Sequence, residues 1–358
     1  VQKYGKPDLF LTMTCNTMWK EIHDNLKYDE EAQDRPDLVA RVFRAKFEVL
    51  KTEIVKKKLF GEVAAFVYVI EYQKRGLPHA HILVILKPEA KPLNPETYDK
   101  MVSAELPDPN EQSYLYSLVI KHMMHGPCGS LNKENVCMRN GVCKNHYPKD
   151  YIEHTTHSED GYPHYRRRKN GQSIKVRNHS LDNRWVVPYT PYLLSLIDCH
   201  LNIEICSIIK LVKYLYKYVY KGNDRVSFHI HSENDPEDID EIHEFQSARW
   251  VSAAEAMWRI YRFPLNEMTP SVYTLQLHLP GEQVVSFHKN TNLSDLVDSS
   301  DFTKTMLTEF FTMNRRNKQA RKLKCLYREF PEHFVWHPDK KKWTCRKRRK
   351  GDQKSGYS

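Results

Sequence analysis

His79-Ala80-His81 sets two imidazoles two residues apart at the start of an apolar run, His79 to Leu86. In an extended strand, residues i and i+2 point the same way. His79 and His81 therefore share one face, and Ile82, Val84 and Leu86 take the other, toward a core. Two histidines on one face are half of a divalent-metal site. The run before it, Val63 to Gln73, carries Val67, Val69, Glu71 and Gln73 on a single face. A hairpin through Lys74-Arg75-Gly76-Leu77-Pro78 brings Glu71 or Gln73 beside the histidines. A His-x-His pair alone is also the pattern of two ordinary histidines; the adjacent carboxylate or amide supplies a third ligand. Nitrogen and oxygen ligands with open positions suit Mg²⁺ or Mn²⁺ acting on a phosphate.

A second group lies in the run 210–221, which holds four tyrosines. At 100° per residue, Tyr214, Lys217, Tyr218 and Lys221 form one helical stripe, with Lys210 beside them. Val212, Leu215, Tyr216 and Val219 fall on the opposite, apolar side. Tyr214 and Tyr218 thus face outward among lysines. A phenol with a pKa of roughly 10 is a weak nucleophile at neutral pH. Nearby lysines favour the phenolate and also hold phosphates. The bland reading is an amphipathic helix with a solvated face.

The third group is Cys128, Cys137 and Cys143, with His122, His125 and His146 nearby. Three thiols and a histidine suit tetrahedral Zn²⁺, with His125 the leading fourth ligand. Such a site is structural, since three thiolates leave little Lewis acidity. The other five cysteines are scattered, and no secreted disulfide framework emerges.

The elements that position these groups follow from periodicity. Pro7 to Thr14 reads as a strand, and 17–28 and 37–58 as helices. The second helix carries Val39, Val42, Phe43, Phe47, Leu50 and Ile54 at helical spacing, and Gly61 stops it. Helices are predicted at 95–104, 111–124, 207–221 and 244–261. Strands are predicted at 184–188, 198–206 and within 271–288. Gly222 follows the tyrosine run as a helix C′ residue.

With 358 residues and 40% hydrophobic content the chain can bury a core. No stretch approaches the roughly 18 apolar residues of a membrane helix, so no membrane partner is expected. The chain opens Val-Gln-Lys-Tyr, which reads as a piece of a longer protein. A net charge of +10 points to a polyanion, and 21 tyrosines offer stacking surface for unpaired bases. The basic runs Arg166-Arg167-Arg168-Lys169 and Lys340 to Lys350 are candidates for DNA phosphate contacts or, for the tail, nuclear import.

Four segments together resemble the replication-initiator-like (Rep) nuclease domain of Helitron rolling-circle transposases, members of the His-hydrophobe-His (HUH) endonuclease superfamily. They are Glu71 to His81, His125-Gly126-Pro127-Cys128 with the later cysteines, Gly161 to Arg168, and Lys213 to Gly222. The segment Ala248 to Ala256 is similar as well, and the resemblance spans about 1–290. It implies an α+β fold with a central antiparallel sheet flanked by helices and an inserted zinc-binding segment. It implies His79 and His81 as metal ligands with Glu71, or its rival Gln73, as the third. Tyr214 and Tyr218 would be nucleophiles that cut single-stranded DNA and form 5′-phosphotyrosine links, supported by Lys217 and Lys221. The domains would be 1–124 and 183–290 as the two parts of the nuclease core, 125–182 as the Cys/His-rich basic insertion, and 291–358 as a helical, basic extension. The family's partners would be transposon ends, target DNA and a C-terminal helicase, and its place the nucleus. The chain itself has no Gly-x-x-x-x-Gly-Lys-Ser/Thr loop, so no ATP-driven unwinding is expected of it. Two other readings remain: a non-catalytic DNA-binding module derived from such an enzyme, and a phosphoesterase that activates water.

Overall fold

Strand β1, Leu9–Thr14, alternates Leu9, Leu11 and Met13, each fully buried, with half-buried Phe10, Thr12 and Thr14. That period of two fixes which face meets the core. The computed structural model describes residues 4–72, 76–156, 163–206, 251–270, 275–280, 282 and 304–346. The chain divides into two units, Val1–Pro270 and Ser271–Ser358.

In the first unit, β1 is followed by the short helix α1 (Lys20–His23) and by α2 (Pro36–Lys51). Strands β2 (Val63–Tyr72) and β3 (Pro78–Leu86) come next, then α3 (Pro95–Met101) and α4 (Ser113–His122). Two small hairpins follow: β4 (Met138–Arg139) with β5 (Val142–Cys143), and β6 (Ile174–Val176) with β7 (His179–Leu181). Helix α5 (Pro191–Ile197), β8 (Leu201–Ile205), α6 (Ala253–Ile260) and β9 (Asn266–Thr269) complete the unit. Five strands form one antiparallel sheet in the order β8-β1-β3-β2-β9. The fold is α+β, as expected.

One face of this sheet is dry. Leu11, Met13, Tyr68, Ile70, Ala80, Ile82, Val84, Leu201 and Ile203 are all under 5% exposed and belong to one cluster with α2. Helix α2 meets that face through Phe43, Phe47 and Leu50. The Phe47 ring stands edge-on to Tyr68 with centroids 4.6 Å apart, and Phe43 lies 6.1 Å from Trp258 of α6. Burying one such side chain stabilises by about 1.5–3 kcal/mol, so this stripe anchors the sheet.

Several predicted elements shift. Helix 37–58 is α2 plus a wider π turn, Thr52–Lys56. The 17–28 helix shrinks to α1, because past His23 the polar Lys27, Tyr28 and Asp29 are exposed and give nothing to bury. No strand forms at 184–188. A 3-10 turn, Asn183–Trp185, stands there instead, with the Asp182 side chain accepting from Arg184 N, and Val186 alone bridges Met124. Helix α5 was not anticipated; Pro191 starts it and Asp198, at φ 53°, ends it, so β8 begins only at Leu201. The 207–221 helix, and 244–250 of the 244–261 helix, lie outside the described residues. Most of 271–288 does too, and 275–280 contains no strand.

The second unit contains α7 (Met306–Arg316), α8 (Lys318–Leu323) and α9 (Phe330–His333). A hairpin of β10 (Phe334–His337) and β11 (Lys342–Cys345) follows. Ala320, Phe330, Phe334 and Trp343 make its core.

Candidate functional site

The sheet face opposite α2 holds the first candidate site. Pairing registers align side chains across four strands. Glu71 of β2 is opposite His79 of β3, His79 is opposite Thr14 of β1, and Thr14 N donates to the carbonyl of His200 at the entry to β8, at 3.0 Å. In the next row Asn202, Thr12, His81 and Val69 stand side by side. Beyond them Phe10, Leu83, Val67 and Val69 form a small apolar cluster, and the Phe10 ring stacks on His81 at 5.6 Å. Glu204 of β8 is the register partner of Phe10, so one carboxyl borders this apolar cluster.

Each histidine is held from behind. Thr14 Oγ1 lies 2.8 Å from His79 Nδ1, and Thr12 Oγ1 lies 3.1 Å from His81 Nδ1. A threonine at Nδ1 sets Nε2 as the nitrogen that would carry a metal, the usual outer-shell arrangement. Glu71 Oε2 stands 3.6 Å from His81 Nε2. Two ligand atoms about 2.1 Å from one ion are roughly 3.0–3.6 Å apart, so this pair fits a shared cation. The His79 ring is edge-on to His81 at 4.6 Å. Burial, with His81 and His200 adding to it against Glu71, pushes the His79 pKa down to about 4. A neutral imidazole is the form that binds metal.

His200, Thr12 and Thr14 were missed in the sequence. His200 Nδ1 is 2.7 Å from the His122 carbonyl, and His122 Nε2 is 2.7 Å from Asp198 Oδ1. The period-two pattern of β1 already placed Thr12 and Thr14 on one face; what it did not show was which strand lies beside them. Gln73, Tyr214, Lys217, Tyr218 and Lys221 lie outside the described residues.

The second site is the cysteine segment. Among the described residues, His125, Cys128, Cys137 and Cys143 are the one group of potential ligands whose atoms all lie within 4.8 Å of one another. Cys128 Sγ and Cys143 Sγ are each 3.6 Å from His125 Nε2. A tetrahedral zinc with bonds of about 2.3 Å to sulfur and 2.0 Å to nitrogen separates its ligands by roughly 3.5–3.8 Å, so the quartet could hold zinc. Local sequence builds it. Asn140 and Gly141 both have positive φ, 50° and 78°, which closes the β4–β5 hairpin and brings Cys143 back to Cys137. Lys144 N then donates to the Cys137 carbonyl at 2.9 Å. Asn135 ties the two loops, donating to Pro127 O and accepting from Cys137 N. The His125 ring stacks on Tyr147 at 4.1 Å. His122 is instead engaged with Asp198, and His146 is exposed, so His125 is the histidine of the quartet.

The run Arg166 to Lys169 does not present one basic surface. Arg167 is 3% exposed, and its Nη1 donates to the carbonyls of Ala104, Asn183 and Val186 at 2.6–3.1 Å. This corrects the expectation of a phosphate contact at Arg167: its charge is held inside the protein. Arg168 pairs with Glu105 at 2.7 Å, and Arg166 reaches Asp99 and Glu105. Lys169 is exposed.

Residues 1–84 match the family described as the Helitron helicase-like domain at the N-terminus. The N-terminal segment is a Helitron-type transposase domain. The matched stretch of this Helitron-type domain runs from β1 into β3 and includes Thr12, Thr14, Glu71, His79 and His81. The cysteine quartet and the tyrosine run lie beyond it. No curated protein matches the chain. Among the described residues no helix is long and apolar enough to cross a membrane.

Proposed function

We propose that this chain is the HUH-type Rep nuclease part of a Helitron-type rolling-circle transposase. It nicks single-stranded DNA and transfers strands through tyrosine. The observation that carries this reading is the shared face of Glu71, His79 and His81, with a threonine hydroxyl at Nδ1 of each imidazole. Those three residues would hold Mg²⁺ or Mn²⁺, which would polarise the scissile phosphate. The five-stranded antiparallel sheet with the histidines on its central strand suits the HUH architecture.

The phenolic oxygen of Tyr214 or Tyr218 forms the new bond to phosphorus, and the bond to the 3′-oxygen breaks. The phenol proton goes to solvent and the leaving oxygen takes one up. Lys217 and Lys221, which helical spacing would set beside the phenols, would lower the cost of both charges. Two tyrosines let one keep a 5′-end while the other cuts a second strand. The partners are transposon-end and target DNA, a helicase domain elsewhere in the full protein, and the setting is the nucleus.

The test uses 5′- and 3′-labelled single-stranded oligonucleotides with Mn²⁺ or Mg²⁺. Wild type yields a cleaved product and a covalent protein–DNA band. His79→Ala abolishes both, and Tyr214→Phe with Tyr218→Phe abolishes both. Cleavage that survives in the double tyrosine variant would mean water is the nucleophile. No cleavage by wild type on any substrate would favour a DNA-binding module.

A further inference from the structure

Residues 315–324 of the second unit, Arg-Arg-Asn-Lys-Gln-Ala-Arg-Lys-Leu-Lys, hold six basic side chains and no acidic one. They form a helix–helix corner. Helix α7 ends at Arg316, and Asn317 starts α8 by accepting from the backbone N–H groups of Gln319 and Ala320. Ala320 is fully buried, which fixes the inward side of α8. Lys318, Arg321 and Lys322 are therefore turned outward, and Arg321 and Lys322 are exposed, as are Arg315 and Arg316 at the end of α7. Arg321 Nη2 donates to the Arg315 carbonyl at 2.9 Å, which ties the two helices at the corner.

The same surface carries an aromatic ring. On α7, Met306, Phe310 and Met313 turn into the unit's core. Phe311 is left on the outer side, 54% exposed, one helical turn before Arg315. Phe311 thus offers a flat apolar ring within one helical turn of Arg315. Cations track a phosphate backbone, and a flat apolar ring stacks on an unpaired base. Duplex DNA offers the phosphates but hides the base faces.

We infer that the α7–α8 corner is a second nucleic-acid surface, binding single-stranded DNA through Arg315, Arg316, Arg321 and Lys322 and stacking a base on Phe311. It rests on charge and an exposed ring in the second unit, independently of the nuclease reading.

The test is fluorescence anisotropy of the full chain with labelled oligothymidylate, without Mg²⁺ or Mn²⁺, over a range of salt. R315Q/R316Q/R321Q/K322Q weakens binding about tenfold or more, and its log–log salt slope falls by about 0.7 for each phosphate no longer neutralised. F311A weakens binding about tenfold while leaving the slope unchanged. A variant with lysine at Arg315, Arg316 and Arg321 keeps most of the affinity. Circular dichroism confirms that each variant is folded. Wild-type affinity and slope in the quadruple variant would overturn the inference. So would preferred binding of duplex with F311A neutral.

Discussion

Glu71 Oε2 lies 3.6 Å from Nε2 of His81, although the ladder partner of Glu71 is His79. The carboxylate reaches diagonally across the β2–β3 pair to the histidine one row further on. Replacing it with Gln keeps the shape and removes the charge. Glu71→Gln is expected to weaken Mn²⁺ binding at least tenfold in calorimetry. An unchanged affinity would move the third ligand to another residue, with Gln73 the next to test.

The threonines behind the imidazoles have their own expected effect. Thr14→Val preserves volume but removes the hydroxyl 2.8 Å from His79 Nδ1. Loss of such an outer contact typically costs about 10–100-fold in metal affinity or activity. Mn²⁺ titration of Thr14→Val and Thr12→Val checks this, and wild-type values in both would show that the hydroxyls orient nothing.

For the quartet, the chain should purify with a bound zinc ion that strong chelators remove, with a fall in thermal midpoint. Cys128→Ser and Cys143→Ser should each lose the metal by elemental analysis. Full zinc content in Cys143→Ser would remove that residue from the ligand set.

Arg167 is a stability prediction. Arg167→Met strands the carbonyls of Ala104 and Val186 and leaves that of Asn183 with only its 3.3 Å bond from Val186 N. The expected cost in urea denaturation is about 3–5 kcal/mol. Arg168→Ala breaks a half-exposed pair with Glu105 and should cost under about 1 kcal/mol. Equal costs would contradict the different placements of the two arginines.

Glu204 sets a pH dependence. Burial raises its pKa from 4.5 to about 7, against the pull of Tyr165, Lys149 and Arg167. The unfolded chain ionises this carboxyl first as pH rises. Its contribution is therefore fully present below pH 4.5 and lost as pH climbs through about 7. The span is worth roughly 3 kcal/mol. Denaturation at pH 5 and pH 8 should show wild type losing stability relative to Glu204→Gln; a pH-independent difference would refute it.

The histidine pair, its carboxylate and the core face behind them were legible because a strand's period of two is local. Ile82 and Val84 point into the core while His79 and His81 turn away, as the alternation demanded. The cysteine–histidine quartet was legible as composition, but its geometry depends on a turn at Asn140-Gly141. What sequence did not show was long-range. Thr12 and Thr14 matter only because β1 pairs with β3, and His200 only because β8 pairs with β1. Arg167 looked like its neighbours in a charge run; burial is decided by three distant carbonyls that no local pattern reports. Helix α5 was hidden by a short apolar stretch, Tyr192 to Ile197, that suits strand and helix alike.

The central claim is tyrosine chemistry at a metal site. Its most direct measurement is intact-mass and peptide mapping of the chain after reaction with a single-stranded oligonucleotide and Mn²⁺. The account predicts a DNA adduct on Tyr214 or Tyr218 that is absent from His79→Ala. Cleaved DNA with no adduct on either tyrosine, or an adduct that forms equally well in His79→Ala, would contradict it.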